Sequence, residues 1–288
     1  MIDLHTHTNA SDGSLTLEQL VEHAKSVGLK AIAITDHDCV LSAAKIPKTK
    51  SKFEVIPGVE LSIYDHQLGY LDIHLIGLYI NPKNPGLVKR LDQLQKEREA
   101  QKKATVAKLN ELGYKITFDE VKKKADGSVG RPHIAKVLLE KYPNDFSSIS
   151  DVFSKLLGRG KKAYLDRDIG FSLKEAIELV HGAGGLAFLA HPFLYPYDSK
   201  KLVSDFKKLG GDGLETFYDY ITNRSEVKLT EKENIAMIVQ AEHLAMDFDL
   251  LECGGSDFHG QSKGQQLGIF CAPDEVLGLI KEAISYSR

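Results

Sequence analysis

Ala31-Ile32-Ala33-Ile34-Thr35-Asp36-His37-Asp38 is an apolar run that stops abruptly on two carboxylates and an imidazole. A short uninterrupted apolar stretch bounded by polar residues reads as a strand buried on both faces, as in sheets with helices outside them. The same design recurs along the chain. Ile2–His7 is strand-like and closes on His5-Thr6-His7. Phe53–Ser62 carries Pro57-Gly58-Val59-Glu60, and Leu71–Ile80 carries Asp72-Ile73-His74. Leu186–His191 ends on Leu189-Ala190-His191, Gly213–Tyr218 holds Glu215, and Asp249–Ser256 runs into Asp257-Phe258-His259. Leu267–Ala272 is predicted as one more short strand.

Helical patterns lie between these runs. Leu17–Val27 is amphipathic, started by a Ser14/Thr16 cap and closed by Gly28. Leu173–Gly182, Ser199–Leu209, Glu226–Leu244 and Glu275–Ser285 follow the second group of strands. Strands alternating with helices favour a parallel sheet. Seven or so core strands suit a closed or nearly closed barrel with its active groups at the carboxyl ends of the strands.

The rhythm breaks after Asn81-Pro82-Lys83-Asn84-Pro85-Gly86. A long charged helix is predicted over Leu87–Leu112, ended by Gly113, with helical pieces at Asp119–Lys124, Pro132–Lys141 and Ile149–Leu157 and no convincing strand. Residues 86–165 therefore read as a small inserted helical domain that caps the substrate, with 1–85 and 166–288 forming the barrel. The insert has 18 Lys+Arg against 10 Asp+Glu, a net +8, which leaves −11 for the rest of a chain whose total is −3. An acidic body suits metal ligands, and a basic insert suits an anionic substrate. The plainer reading of most of these lysines is that they solvate exposed helices.

At 288 residues, 42% hydrophobic and 27% charged, the composition is that of a soluble globular protein. No apolar run reaches the length of a membrane span, and Met1 is followed at once by Ile2-Asp3-Leu4-His5, which leaves no room for a cleavable leader. Cys39, Cys253 and Cys271 are odd in number and lack CxxC spacing, so reduced thiols in a cytoplasm are expected rather than disulfides or zinc fingers.

His5 and His7, two apart on a strand, project to the same side, and Asp257 and His259 repeat that spacing. Asp12 follows His7 in a Ser11-Asp12-Gly13 turn. Glu60 is the choice for a bridging ligand, because a carboxylate offers two oxygens to two cations and an imidazole nitrogen cannot. Each residue taken alone reads as a hydrogen-bonded core group. Together, six imidazoles and several carboxylates buried at strand ends without cations would leave repelling charges and unmet donors. Glu215 ends a strand and is expected to support other ligands. His23, His181 and His243 fall within helices and His66 in a loop, and these four are left out.

The ordered motifs His5-Thr6-His7, Thr35-Asp36-His37, Gly58-Val59-Glu60, His74, Ala190-His191-Pro192 and Ser256-Asp257-Phe258-His259 resemble the polymerase and histidinol phosphatase (PHP) family of metal-dependent phosphoesterases. The resemblance spans both sides of the insert. It implies a distorted seven-stranded β/α barrel holding two to three divalent cations. By position, one ion would be held by His5, His7, Glu60 and Asp257, a second by Glu60, His74 and His191, and a third by Asp12, His37 and His259. Many family members have a histidine where this chain has Asp12. That departure resembles a subgroup whose members remove the 3′-phosphate from nucleoside 3′,5′-bisphosphates or trim RNA from its 5′ end. The subgroup's helical insert carries Gly130-Arg131-Pro132-His133-Ile134-Ala135 as well. Pro132 suits a helix start, so Arg131 and His133 would sit at a helix N-terminus fit to hold a phosphate. The plainer alternative pairs Arg131 with a barrel carboxylate.

The expected activity is metal-assisted hydrolysis of a phosphate monoester on a phosphorylated small molecule or short oligonucleotide, with Asp12, His191 and Arg131 as catalytic candidates. Nitrogen and oxygen ligands without thiolate suit Mn²⁺, Fe²⁺ or Zn²⁺, and the resemblance favours manganese. No membrane or obligate protein partner is expected. The alternatives are histidinol-phosphate hydrolysis, which sits awkwardly with a positive insert, and a non-catalytic nucleic-acid-binding module built on the lysine-rich Lys96–Lys108. That segment lacks the interleaved aromatics that stack on bases.

Overall fold

The computed structural model describes residues 1–47, 52–124, 129–158, 160–165, 169–223, 228–260 and 265–286. Two compact units divide it, Met1–Leu91 with Gly170–Arg288, and Asp92–Ile169.

The first unit is a seven-stranded sheet in sequence order, with β1 Ile2–Asp3, β2 Ala31–Ile34, β3 Glu54–Asp65, β4 Tyr70–Leu78, β5 Leu186–Leu189, β6 Gly213–Tyr218 and β7 Leu251–Gly255. Its edges meet. Leu4 N donates to Gly254 O at 2.9 Å and His7 N to Phe258 O at 2.9 Å, which carries β1 across to β7 and closes the barrel. The approach is tight enough that a Cβ on Gly255 would stand 2.4 Å from His5 N. Inside, Ile2, Leu4, Ala33, Ile56, Ile76 and Phe188 pack against Val276, Ile280 and Ile284 of the terminal helix α10, Asp274–Tyr286. Outside, helix α1, Leu17–Ser26, lays Leu17, Leu20 and Ala24 on Ile32 and Ile34 of β2. Thr16 caps it in a reciprocal box with Gln19, and Gly28 at φ +81° turns the chain out of it.

Two expectations need correction. The sheet is not wholly parallel, because β4 runs antiparallel to both β3 and β5. The cause is the four-residue turn from His66 to Gly69 (φ +76°), far too short for a parallel crossover. Leu267–Ala272 is not a strand; only Ala272 bridges, to Ile2. Gly268 at φ +86° and Phe270 at φ +54° break the extended path.

The helix α2, Pro85–Glu111, runs on from the first unit into the second. The second unit is helical, adding α3 Phe118–Lys122, α4 Arg131–Lys141 and α5 Ile149–Val152, which continues as a π-helical turn over Phe153–Leu157. Its core gathers Val106, Leu109, Val121, Ile134, Leu138 and Leu157. Back in the first unit come α6 Leu173–Gly182, α7 Ser199–Lys208, α8 Tyr220–Asn223 and α9 Glu231–Asp247. The helix expected from Glu226 begins at Glu231 behind a Thr230/Glu233 capping box, and 226–227 lie outside the described residues. Among the described residues no helix is long and apolar enough to cross a membrane.

Candidate metal centre

Nine side chains separated by up to 254 positions meet at one place. Glu60 is the middle of it. Its Oε1 lies 2.9 Å from His74 Nδ1 and 3.2 Å from His191 Nε2. Its Oε2 lies 3.0 Å from His37 Nδ1 and 3.2 Å from both His5 Nε2 and His7 Nε2. Asp257 Oδ1 joins from the far edge, 3.1 Å from His7 Nε2 and 3.5 Å from His5 Nε2. Asp12 Oδ1 reaches His259 Nε2 at 3.2 Å.

The elements explain the convergence. His5, His7, His37, His191, Asp257 and His259 follow the carboxyl ends of their strands. His74 does not; it sits within the reversed β4, and Glu60 lies mid-strand because β3 runs on to Asp65. Both enter the centre because the β3–β4 ladder places Glu60 opposite Ile76 and Ser62 opposite His74.

Among the described residues, ligand-capable atoms form four groups, each within 4.8 Å: His5, His7, Glu60 and Asp257; His37, Glu60 and His74; His7, Asp12, His37 and His259; and His5, His191 and Glu215. Atoms bound to one cation at about 2.0–2.2 Å stand roughly 3.0–3.5 Å apart, which is the spacing seen around Glu60. Buried atoms with no hydrogen-bond partner include His5 Nε2, both nitrogens of His7, Glu60 Oε2, His74 Nδ1 and Asp257 Oδ1. Unpartnered buried nitrogens and oxygens at this density fit divalent cations. The donor set is imidazole and carboxylate, with no thiolate in any group.

Electrostatics agree with the geometry. Burial works to raise Glu60, but His37, His5 and His74 outweigh it and hold the carboxyl well below its usual range. Asp257 is likewise held down by His5 and His7 against burial. Burial works to raise Asp12, yet His259, His37 and His7 keep it ionised. His7 is lowered, first by burial and then by His259 and His37. Against burial, Glu60 and Asp12 push His37 up to about 9.

Contacts of Glu215, expected to support other ligands, and of Tyr218, which the sequence did not announce, hold these groups in place. Glu215 pairs with His5 Nδ1 at 2.9 Å, leaving Nε2 turned to the centre, and accepts His191 N at 2.8 Å. Tyr218, fully buried and with its phenol pushed well up by burial, donates to Asp257 Oδ2 at 2.8 Å. Nothing local marks a tyrosine at the end of β6, and it is the β6–β7 ladder, with Tyr218 opposite Gly255, that brings it to Asp257. His23, His181, His243 and His66 belong to none of the four groups. Arg131 and His133 belong to the second unit. Arg131 donates to Leu157 O at 3.3 Å and lies over Tyr164 and Phe153, while His133 Nδ1 accepts Gly130 N at 2.8 Å.

The PHP domain pattern matches residues 3–183. The chain is 34% identical over 264 residues to a 5′-3′ exoribonuclease of Haemophilus influenzae, covering 89% of each chain. It is 30% identical over 273 residues to a 3′,5′-nucleoside bisphosphate phosphatase of Chromobacterium violaceum, covering 91% of this chain and 88% of that one. A solved structure from Bifidobacterium adolescentis, assigned as a metal-dependent phosphoesterase, superimposes with a TM-score of 0.75 at 26% identity, covering 97% and 94% of the two chains. The chain belongs to the PHP-domain family, as a metal-dependent phosphoesterase.

Proposed function

We propose that this chain hydrolyses a phosphate monoester of a nucleotide-type substrate, either a nucleoside 3′,5′-bisphosphate or the 5′ end of a short RNA. One observation carries the reading: a single carboxylate, Glu60, turns one oxygen to His74 and His191 and the other to His5, His7 and His37. That arrangement supports a reading in which Glu60 would serve two cations, with Asp12, His37 and His259 available to a third. Manganese is the preferred ion, with iron or zinc fitting the same donors. Such ions, when bound, polarise the phosphoryl group, activate water and neutralise the leaving oxygen. The relatives named above act on RNA and on nucleoside bisphosphates, which supports the substrate class for this chain.

The chain's own groups would do the rest. Asp257 and Glu60, kept ionised by the surrounding imidazoles, hold negative charge at fixed points. Asp12, half-exposed and ionised, is proposed to accept a proton at Oδ1 from the attacking water, with His259 Nε2 at 3.2 Å to share it. His191 is held by Glu60 and Glu215 as a ligand and the alternative proton carrier. Arg131 and His133 are proposed to bind the substrate's second phosphate, on the chemistry of a guanidinium beside a Pro132 helix start.

The test is phosphate release by Mn²⁺-reconstituted protein from nucleoside bisphosphates, 5′-phosphorylated oligonucleotides and histidinol phosphate. The proposal expects turnover of the first two classes. Histidinol phosphate alone being cleaved would replace it. Arg131→Ala should raise KM for a bisphosphate far more than for a simple aryl phosphate, and equal effects would remove Arg131 from the role.

A further inference from the structure

Four further carboxylates lie around the centre, and three of them have no part in the ligand groups: Asp3, Asp36 and Asp38, with Glu215 the fourth. All are at most 1% exposed. Each reaches from its own strand to a neighbouring ligand-bearing segment. Asp3 of β1 accepts Ser256 N at 3.0 Å and Ser256 Oγ at 2.6 Å, one residue before Asp257. Asp36, after β2, accepts Thr8 N at 2.7 Å and Ser11 Oγ at 2.8 Å, on the turn that bears Asp12. Asp38 accepts Ser62 N at 2.9 Å and Ser62 Oγ at 2.7 Å, two residues past Glu60. Glu215 joins His5 to the backbone of His191. The segment carrying His74 is secured differently, with His74 N donating to Tyr195 Oη at 2.8 Å.

Most of these donors are neutral amides and hydroxyls. Among the described residues no lysine or arginine pairs with Asp3, Asp36 or Glu215. Hydrogen bonds from neutral groups offset only part of the cost of burying a charge. Positive charge close by would supply the remaining compensation, and the nearest place for it is the cluster of unpartnered buried atoms that these residues surround.

We propose that Asp3, Asp36, Asp38 and Glu215 form a ring of positioning carboxylates that fixes the ligand segments against one another and supplies the negative field in which the cations are held. The inference rests on the reading of the enclosed cluster as a metal centre. It assigns the ring no contact with substrate.

The ring is tested on the full chain with Asp36→Asn and Asp38→Asn, which keep size and one accepting oxygen but remove the charge. Mn²⁺ affinity is read by competition with a chromogenic chelator, and the visible spectrum of the Co²⁺-loaded protein reports ligand geometry independently of turnover. Each variant is expected to lose about 10–100-fold in affinity, as for other outer partners of metal ligands, with an altered Co²⁺ spectrum and a retained cooperative unfolding transition when metal-free. Should Asp38→Asn fail to fold, Ser62→Ala removes one donor to the same carboxylate and is expected to weaken binding in the same direction. Parental affinity and spectrum in the folded variants would overturn the ring alone. A parent chain that binds no divalent cation would overturn the metal centre itself.

Discussion

Glu60 shows how much chemistry one side chain gathers here. It is fully buried and within 3.2 Å of five imidazole nitrogens. Glu60→Gln keeps the shape but exchanges one oxygen for a donor, so one side of the proposed bridge would be lost. The expected result is a fall in kcat beyond about 100-fold, more than outer partners of ligands typically cost, together with fewer ions per chain by elemental analysis. Unchanged ion content would show that Glu60 does not bridge. At this scale the sequence was readable where spacing carries meaning. His5-Thr6-His7 and Asp257-Phe258-His259 announce themselves because alternate residues share a side. Asp36 and Asp38 were in view beside His37 but carried no such signal, since nothing local distinguishes a carboxylate that crosses to Thr8 or Ser62 from one facing water.

Elements were legible when local chemistry set them and obscure when a partner did. α1 and α6 begin where Thr16 and Ser172 cap them, and Leu173–Gly182 has the bounds that its pattern predicts. The reversal of β4 follows from a turn length, and its apolar run reads alike in either direction. Leu267–Ala272 has strand composition, but Gly268 and Phe270 take left-handed conformations that no pattern of hydrophobicity records. One tie between elements gives a pH prediction. His181, in the last turn of α6, lies 2.7 Å from Asp212 Oδ2, and that hydrogen bond raises its pKa against partial burial. Its contribution is fully present below the unfolded value of about 6.5 and is lost as pH rises through the higher folded value. The melting-temperature advantage of the parent over His181→Gln should therefore shrink as pH rises; an advantage growing with pH would contradict the pairing.

For the molecule as a whole, the closed barrel and the ligand cluster are one construction, because β1 meets β7 just where Asp3, His5, Ser256 and Asp257 lie. Cations that bind only the folded chain must stabilise it, by about 2.7 kcal/mol for an ion at 100 times its dissociation constant. Dialysis against a chelator should lower the melting temperature by about 5 °C for each such ion, and re-addition of Mn²⁺ should restore it. No change would mean that the site is empty in solution. The ordered motifs made the barrel foreseeable in both stretches of chain that flank the second unit. What the sequence withheld was which strand reverses and how far each ligand lies from the next, quantities set by register and closure.

His191 and Asp257 hold φ at +27° and +53°, a region that suits glycine and strains other side chains. Evolution has thus put working groups where the backbone would choose none. With metal removed, Asp257→Gly should be harder to unfold in urea than Asp257→Ala, by about 1–2 kcal/mol. On the proposed reading, a barrel of this kind would gain durability by giving up the residues that serve its chemistry.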